Sequence, residues 1–172
     1  MSSSRRPLIA GNWKMNGLVA DGKALAAALA AKRSDAGDVA FDMLVCPPFT
    51  LVSTIGDTIS GSGISLGAQD CHTAEAGAHT GDISPAMLKD LGCEFVIVGH
   101  SERRTDHGET DDLVRAKAEA AIAAGLQAVI CIGETEAERD AGKTFDVVRT
   151  QVQGSVPSVA TAVNSVVAYE PV

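Results

Sequence analysis

The chain has 172 residues, 45% of them apolar but only 3% aromatic, so one ordinary domain core can be built, mostly from Ala, Val, Ile and Leu. Its 22 acidic and 14 basic residues give a net charge of −8, which repels a phosphate backbone, and no basic groove with interleaved aromatics argues for nucleic acid as a partner. No uncharged run approaches the ~18 apolar residues of a membrane helix, and the stretch after Arg5-Arg6 is too short for a signal peptide.

Cys46, Cys71, Cys93 and Cys131 sit far apart in or beside apolar runs, without a C-x-x-C pair. They read as reduced, buried thiols of a soluble, cytoplasmic protein.

In chain order, Pro7 to Trp13 predicts a first strand and Val19 to Arg33 an alanine-rich helix. Phe41 to Cys46 predicts a second strand, stopped by Pro47-Pro48, and Phe49 to Ile59 has helical spacing at Leu51, Val52, Ile55 and Ile59. Ile64 to Ala68 is a third strand, and a long loop runs from Gln69 to Ile83. Ser84-Pro85 then opens a helix, with a capping serine and proline at the first helical position, and Gly92 closes it. Phe95 to Gly99 is the fourth strand, Asp111 to Ala124 a helix, and Ala128 to Ile132 the fifth strand. Thr135 to Glu138 has the capping-box pattern for a helical segment running toward Val152 with a break at Gly142; Val159 to Val163 adds a helical turn before a sixth strand, Val166 to Tyr169. Alternating buried strands and helical patterns imply an α/β fold with a parallel sheet.

Phe95 to Arg104 (F-V-I-V-G-H-S-E-R-R) runs from a buried strand straight into groups that carry charge or protons. Polar chemistry at the carboxyl end of a parallel strand suggests a catalyst. Strand parity extends the suggestion, because Val96, Val98 and His100 share a face, as do Val166, Ala168 and Glu170, and Ala10, Asn12 and Lys14. Each polar residue alone has an ordinary explanation: a backbone-satisfied histidine, a solvated lysine, a surface glutamate. Their shared place at strand ends favours a site.

Other patterns fail. Gly61 to Gly67 has one residue too many for G-x-G-x-x-G and precedes a strand. Gly142-Lys143-Thr144 imitates the end of a phosphate loop but lacks its first glycine and is surrounded by acids. Gly99-His100-Ser101 lacks the second glycine of a nucleophile elbow. Cys71-His72 and His79 lack further zinc ligands at sensible spacing, so no metal is expected.

Six stretches in order then carry a specific resemblance: G-N-W-K-M-N (11–16), G-A-Q-D-C-H (67–72), H-T-G-D-I-S-P-A-M-L (79–88), V-G-H-S-E-R-R (98–104), C-I-G-E (131–134) and A-Y-E-P-V (168–172). With them the chain resembles the triosephosphate isomerase family from Pro7 onward. The resemblance implies a TIM (β/α)8 barrel, of which residues 1–172 supply the first six strands and five helices of a single domain. It implies the isomerisation of dihydroxyacetone phosphate and glyceraldehyde 3-phosphate in glycolysis and gluconeogenesis, without cofactor or metal. By the same resemblance Glu170 is the base, His100 the neutral imidazole that polarises the carbonyl, Lys14 the positive charge for phosphate and oxyanion, and Asn12 a hydrogen-bond donor to substrate oxygen. Ser101 and Glu102 are supporting groups, with Glu102 close to Lys14. Loop 69–83 enters a second subunit with Thr80 near that subunit's Asn12 and His100, which implies a homodimer.

Two departures from the family stand out. His107 occupies a position often aromatic in the family, and after Pro171-Val172 the family continues through a mobile lid and two more strands. An eight-unit barrel takes about 250 residues, roughly 80 more than here. Without that continuation, Leu8 to Trp13 and Val166 to Tyr169 are expected to be exposed apolar edges. The alternative reading is a truncated, inactive α/β domain that binds phosphate weakly or serves in assembly.

Overall fold

A computed structural model describes residues 5 to 171. The chain divides into two compact units, residues 1–69 with 90–94, and residues 70–89 with 95–172.

In the first unit, β1 (Leu8–Asn12), β2 (Asp42–Cys46) and β3 (Ile64–Ala68) are parallel neighbours. The register runs from Leu8 opposite Asp42 to Asn12 opposite Cys46, then from Met43 opposite Ile64 to Val45 opposite Leu66. Helix α1 (Val19–Asp35) links β1 to β2, and a single 3-10 turn (Phe49–Leu51) leads into α2 (Val52–Ile59). Pro48, extended at ψ 153°, blocks any earlier helical start and leaves that tighter turn as the entry. Leu44, Cys46, Leu51, Val52, Ile55 and Ala68 are buried together, so β2, β3 and α2 hold this core. On β1, by contrast, Ile9 is 55% exposed.

The second unit contains β4 (Phe95–Val98), β5 (Gln127–Ile132) and β6 (Ser165–Tyr169), again parallel and in chain order. Val96, Val98, Ala128 and Ile130 are wholly buried against Val114, Ala118 and Ala121 of α5 (Asp111–Ala123). Helix α3 is Pro85–Asp90, with Ser84 Oγ accepting from the Met87 N–H as the capping pattern requires. The Thr135 capping box is present in full, and Gly142, at φ 70°, separates α6 (Glu136–Asp140) from α7 (Thr144–Ser155). The outer strand β6 leaves Val167 and Tyr169 about half exposed, at 46% and 51%, so both outer strands present apolar edges as expected.

All six expected strands form. Two features differ from the sequence reading. Seven α-helices rather than five occur among the described residues, because the expected break at Gly142 divides one segment and α4 (Ser101–His107) forms directly after β4, where no helix was expected. Residues 159–163 form turns rather than helix. There the Thr161 hydroxyl accepts from the N–H groups of Val163 and Asn164, while Asn164 Oδ1 accepts from the Thr161 N–H, taking up donors that a helix would use.

Helix α4 is tied down by a buried ionic group. Lys117 Nζ lies 2.7 Å from Asp70 and 2.5 Å from Glu109, and Arg103 lies 2.6 Å from Glu109 and 2.9 Å from Asp70. Burial opposes charge on both acids. For Asp70 it prevails and pushes the carboxyl up, whereas hydrogen bonds from Lys117 and Arg103 outweigh it at Glu109 and hold that carboxyl below the usual range. A lowered carboxyl stabilises the fold above its unfolded pKa and loses that contribution as pH falls through the folded one. Glu109→Gln should therefore cost about 3 kcal/mol at pH 7. In urea unfolding across a pH series, it should also flatten the acid loss of stability that begins below about pH 4.

Candidate functional site

At the end of β4 the backbone turns through Gly99, at φ 67°, where an added Cβ would lie 2.6 Å from Val114. Only glycine fits, and the turn makes His100 the cap of α4 rather than the next strand residue. His100 is 5% exposed. Its Nδ1 accepts from the Glu102 N–H at 3.3 Å, so the ring proton of the neutral imidazole belongs on Nε2. Nε2 faces the Glu170 carboxylate at 3.4 Å, and Glu102 Oε2 lies 3.4 Å from Nδ1.

Arg104 fastens this turn to the neighbouring strand. It donates to the carbonyls of Gly99 (2.8 Å) and Cys131 (3.2 Å), pairs with Asp111 at 2.6 Å, and donates to the Ser155 hydroxyl, which donates in turn to Asp111.

Glu170 follows β6 directly, and its N–H donates to the Ile132 carbonyl at 2.9 Å, continuing the ladder. Next to it, Gly133 packs so closely that a Cβ there would meet the Glu170 carbonyl at 1.9 Å. Tyr169 is held from the other side, donating at 3.0 Å to Glu134, which also accepts from Arg139 and Thr144. Burial works against charge on Glu134, but these hydrogen bonds and one from its own backbone hold its carboxyl below the usual range.

A small cavity of about 10 Å³ lies beside Glu170 and is lined by Gly99, Ser101, Cys131, Gly133 and Glu170 itself. Burial, with the charge of Glu170 added, pushes the Cys131 thiol up to about 12, so it is a neutral neighbour at pH 7. The Glu170 side chain is 59% exposed.

At the end of β1, Lys14 stands at φ 53°, the one non-glycine left-handed residue among those described. Strand alternation therefore does not reach Lys14. Its N–H donates to Asn12 Oδ1 at 3.0 Å, and Gln69 Nε2 donates both to its carbonyl (2.8 Å) and to that of Cys46 (2.9 Å). A residue in this conformation persists where its surroundings fix it, and Asn12 and Gln69 do so here.

The base of loop 69–83 is closed by the His72 N–H donating to Ile83, with Thr80 exposed near the tip. His72, His79 and Asp82 bring ligand atoms within 4.8 Å of one another. Yet His72 Nδ1 accepts from the Ala74 N–H, which puts the neutral ring's proton on Nε2, the atom facing Asp82. In that tautomer His72 is not presented as a metal ligand.

The structure thus brings His100, Ser101, Glu102 and Glu170 into one cluster and joins Asn12 to Lys14 in another. Sequence reading missed the groups that hold them. Glu134, Gln69 and Arg104 all lay inside motifs already noted, but nothing local pointed to Lys14 and Cys46 as partners of Gln69 or to Cys131 and Ser155 as partners of Arg104.

A profile of the family described as Triosephosphate isomerase matches residues 7–172. The triosephosphate isomerases of Afipia carboxidovorans and Bradyrhizobium diazoefficiens are 59% and 58% identical to the chain over 174 aligned residues, covering all of it and 68% of each relative. The crystal structure of triosephosphate isomerase from Bartonella henselae superposes with a TM-score of 0.87 at 48% identity, covering 97% of this chain and 68% of that one. The α/β architecture is that of the first six strands of a TIM barrel, and the chain belongs to the triosephosphate isomerase family.

Proposed function

We propose that His100 and Glu170 are the acid–base pair of the isomerase reaction in this chain, with Asn12 and Lys14 binding the triose phosphate. The observation that carries this reading is the 3.4 Å approach of His100 Nε2 to the Glu170 carboxylate, with the imidazole proton directed there by the Glu102 N–H. A carboxylate takes the proton from the carbon next to the carbonyl, and the Nε2–H donates to the carbonyl oxygen as it gains charge. The proton then returns to the neighbouring carbon, while His100 Nε2 gives its proton to the former carbonyl oxygen and recovers one from the hydroxyl that becomes the new carbonyl, so no electrons are gained or lost and no cofactor is needed. Lys14 supplies a fixed positive charge toward phosphate and oxyanion, and Asn12 a donor to substrate oxygen. Ser101 and Glu102 hold the histidine's turn.

Loop 69–83, with its closed base and exposed Thr80, is the proposed dimer contact. No helix among the described residues is long and apolar enough to cross a membrane; a cytoplasmic setting is proposed on the family resemblance alone.

These roles predict definite losses in a coupled assay on glyceraldehyde 3-phosphate. Glu170→Asp withdraws the carboxylate by about 1 Å and should cost about 100-fold in kcat. His100→Gln should cost on the order of 100-fold or more. Wild-type rates in both variants would place the site elsewhere.

Gln69→Leu frees the Lys14 carbonyl and should lower kcat/KM about ten-fold. That loss should vanish when Lys14 is already Met; an equal loss in both backgrounds would separate Gln69 from Lys14.

For the dimer, Thr80→Arg should weaken association by about 100-fold in sedimentation experiments. A variant that sediments like the parent at matched concentration rules out Thr80 as a contact.

A further inference from the structure

Beyond β5 the strand ladder needs support that the sheet does not provide. The Ile132 carbonyl is taken by the Glu170 N–H, but the N–H and C=O of Gly133 turn toward α7. There the Gln151 side chain meets both: the Gly133 N–H donates to Gln151 Oε1 at 2.7 Å, and Gln151 Nε2 donates to the Gly133 carbonyl at 3.1 Å. A side-chain amide offers one acceptor and two donors in a single plane, so it can stand in for a neighbouring strand at one residue. The Gly133 Cα faces the Glu170 backbone with no room for a Cβ, which would lie 1.9 Å from the Glu170 carbonyl. Any shift of Gly133 is therefore passed to Glu170 by contact.

We infer that Gln151 is a positioning residue for the base: its amide fixes the Gly133 peptide, and Gly133 fixes the backbone from which the Glu170 carboxylate reaches His100. This rests on the assignment of Glu170 as the base. Helix α7 has independent anchors, since Ser155 is bonded to Arg104 and Asp111 and the Gly154 carbonyl accepts from Arg115. Loss of the Gln151 amide should accordingly leave α7 docked.

The test uses Gln151→Met, which keeps length and volume without hydrogen bonds, and Gln151→Glu, which keeps an acceptor for the Gly133 N–H. In the intact enzyme, Gln151→Met should lower kcat about ten-fold with KM changed less than about two-fold, and Gln151→Glu should recover part of the loss. In a Glu170→Asp background, where the carboxylate is already displaced, Gln151→Met should cost little more; independent sites would give multiplied losses. Amide hydrogen exchange reads the same coupling without turnover, and Gln151→Met should speed exchange at Gly133 and Glu170 relative to the amides of β4. Wild-type kcat in Gln151→Met, multiplied losses in the double variant, or unchanged exchange at Glu170 would each overturn the inference. Wild-type activity in Glu170→Asp is a separate result, which overturns the base assignment while the exchange data still decide whether Gln151 holds that backbone.

Discussion

The second unit depends on a backbone contact: residues 132–133 at the end of β5 against residue 170 at the end of β6. One hydrogen bond, from the Glu170 N–H to Ile132, and one contact too tight for any side chain at Gly133 bring these strand ends together. Around them the polar groups are arranged to leave little slack. Arg104 holds the Cys131 carbonyl, Gln151 the N–H and carbonyl of Gly133, and Glu134 the Tyr169 hydroxyl, so each residue beside Glu170 is bound to a different helix or helix-start segment. A strand end would otherwise present unpaired backbone groups, and buried ones are costly.

Charge is distributed with the same economy. The acids that sit behind the site are paired: Asp111 with Arg104, Glu109 with Lys117 and Arg103, Glu134 with Arg139 and the Tyr169 hydroxyl. Glu170, by contrast, faces an imidazole whose proton is available as a hydrogen-bond donor, in a setting more open than theirs. A base has to bind and release a proton, and pairing it with a permanent cation would hold it ionised and make it a poor acceptor. The paired carboxylates face permanent cations or a fixed hydroxyl, whereas Glu170 faces the His100 imidazole.

Lys14 in the first unit illustrates a different use of energy. Its left-handed backbone at φ 53° is unfavourable for a side-chain-bearing residue, and it is sustained by a donor to Asn12 and a lock from Gln69. The two residues assigned to the substrate at this strand end are thus a single hydrogen-bonded piece, and the glutamine behind them, on the connection leaving β3, ties that piece to β2 through Cys46.

The strands were legible from the sequence because each is a short apolar run bounded by Gly or Pro, and that pattern is local. His100, Glu170, Lys14 and Asn12 were legible because polar residues closing an apolar run stand out, and because the motifs around them are family motifs. Helix α4 was not legible: S-E-R-R-T-D-H is polar all round, and it is held by Arg103 and Arg104 bonding to Asp70, Glu109 and Asp111. The turns at 159–163 were misread because apolar spacing there was outweighed by hydrogen bonds from Thr161 and Asn164. By itself the sequence determined where the six strands lie and which polar residues stand at or just beyond their ends. Only the tertiary structure decided which nitrogen of His100 holds the proton, how Lys14 is bent, and that Gln69, Arg104 and Gln151 hold the strand ends. The first two depend on the local path of the backbone, which sets a side chain against an N–H two residues away, and the last on hydrogen bonds between groups far apart along the chain.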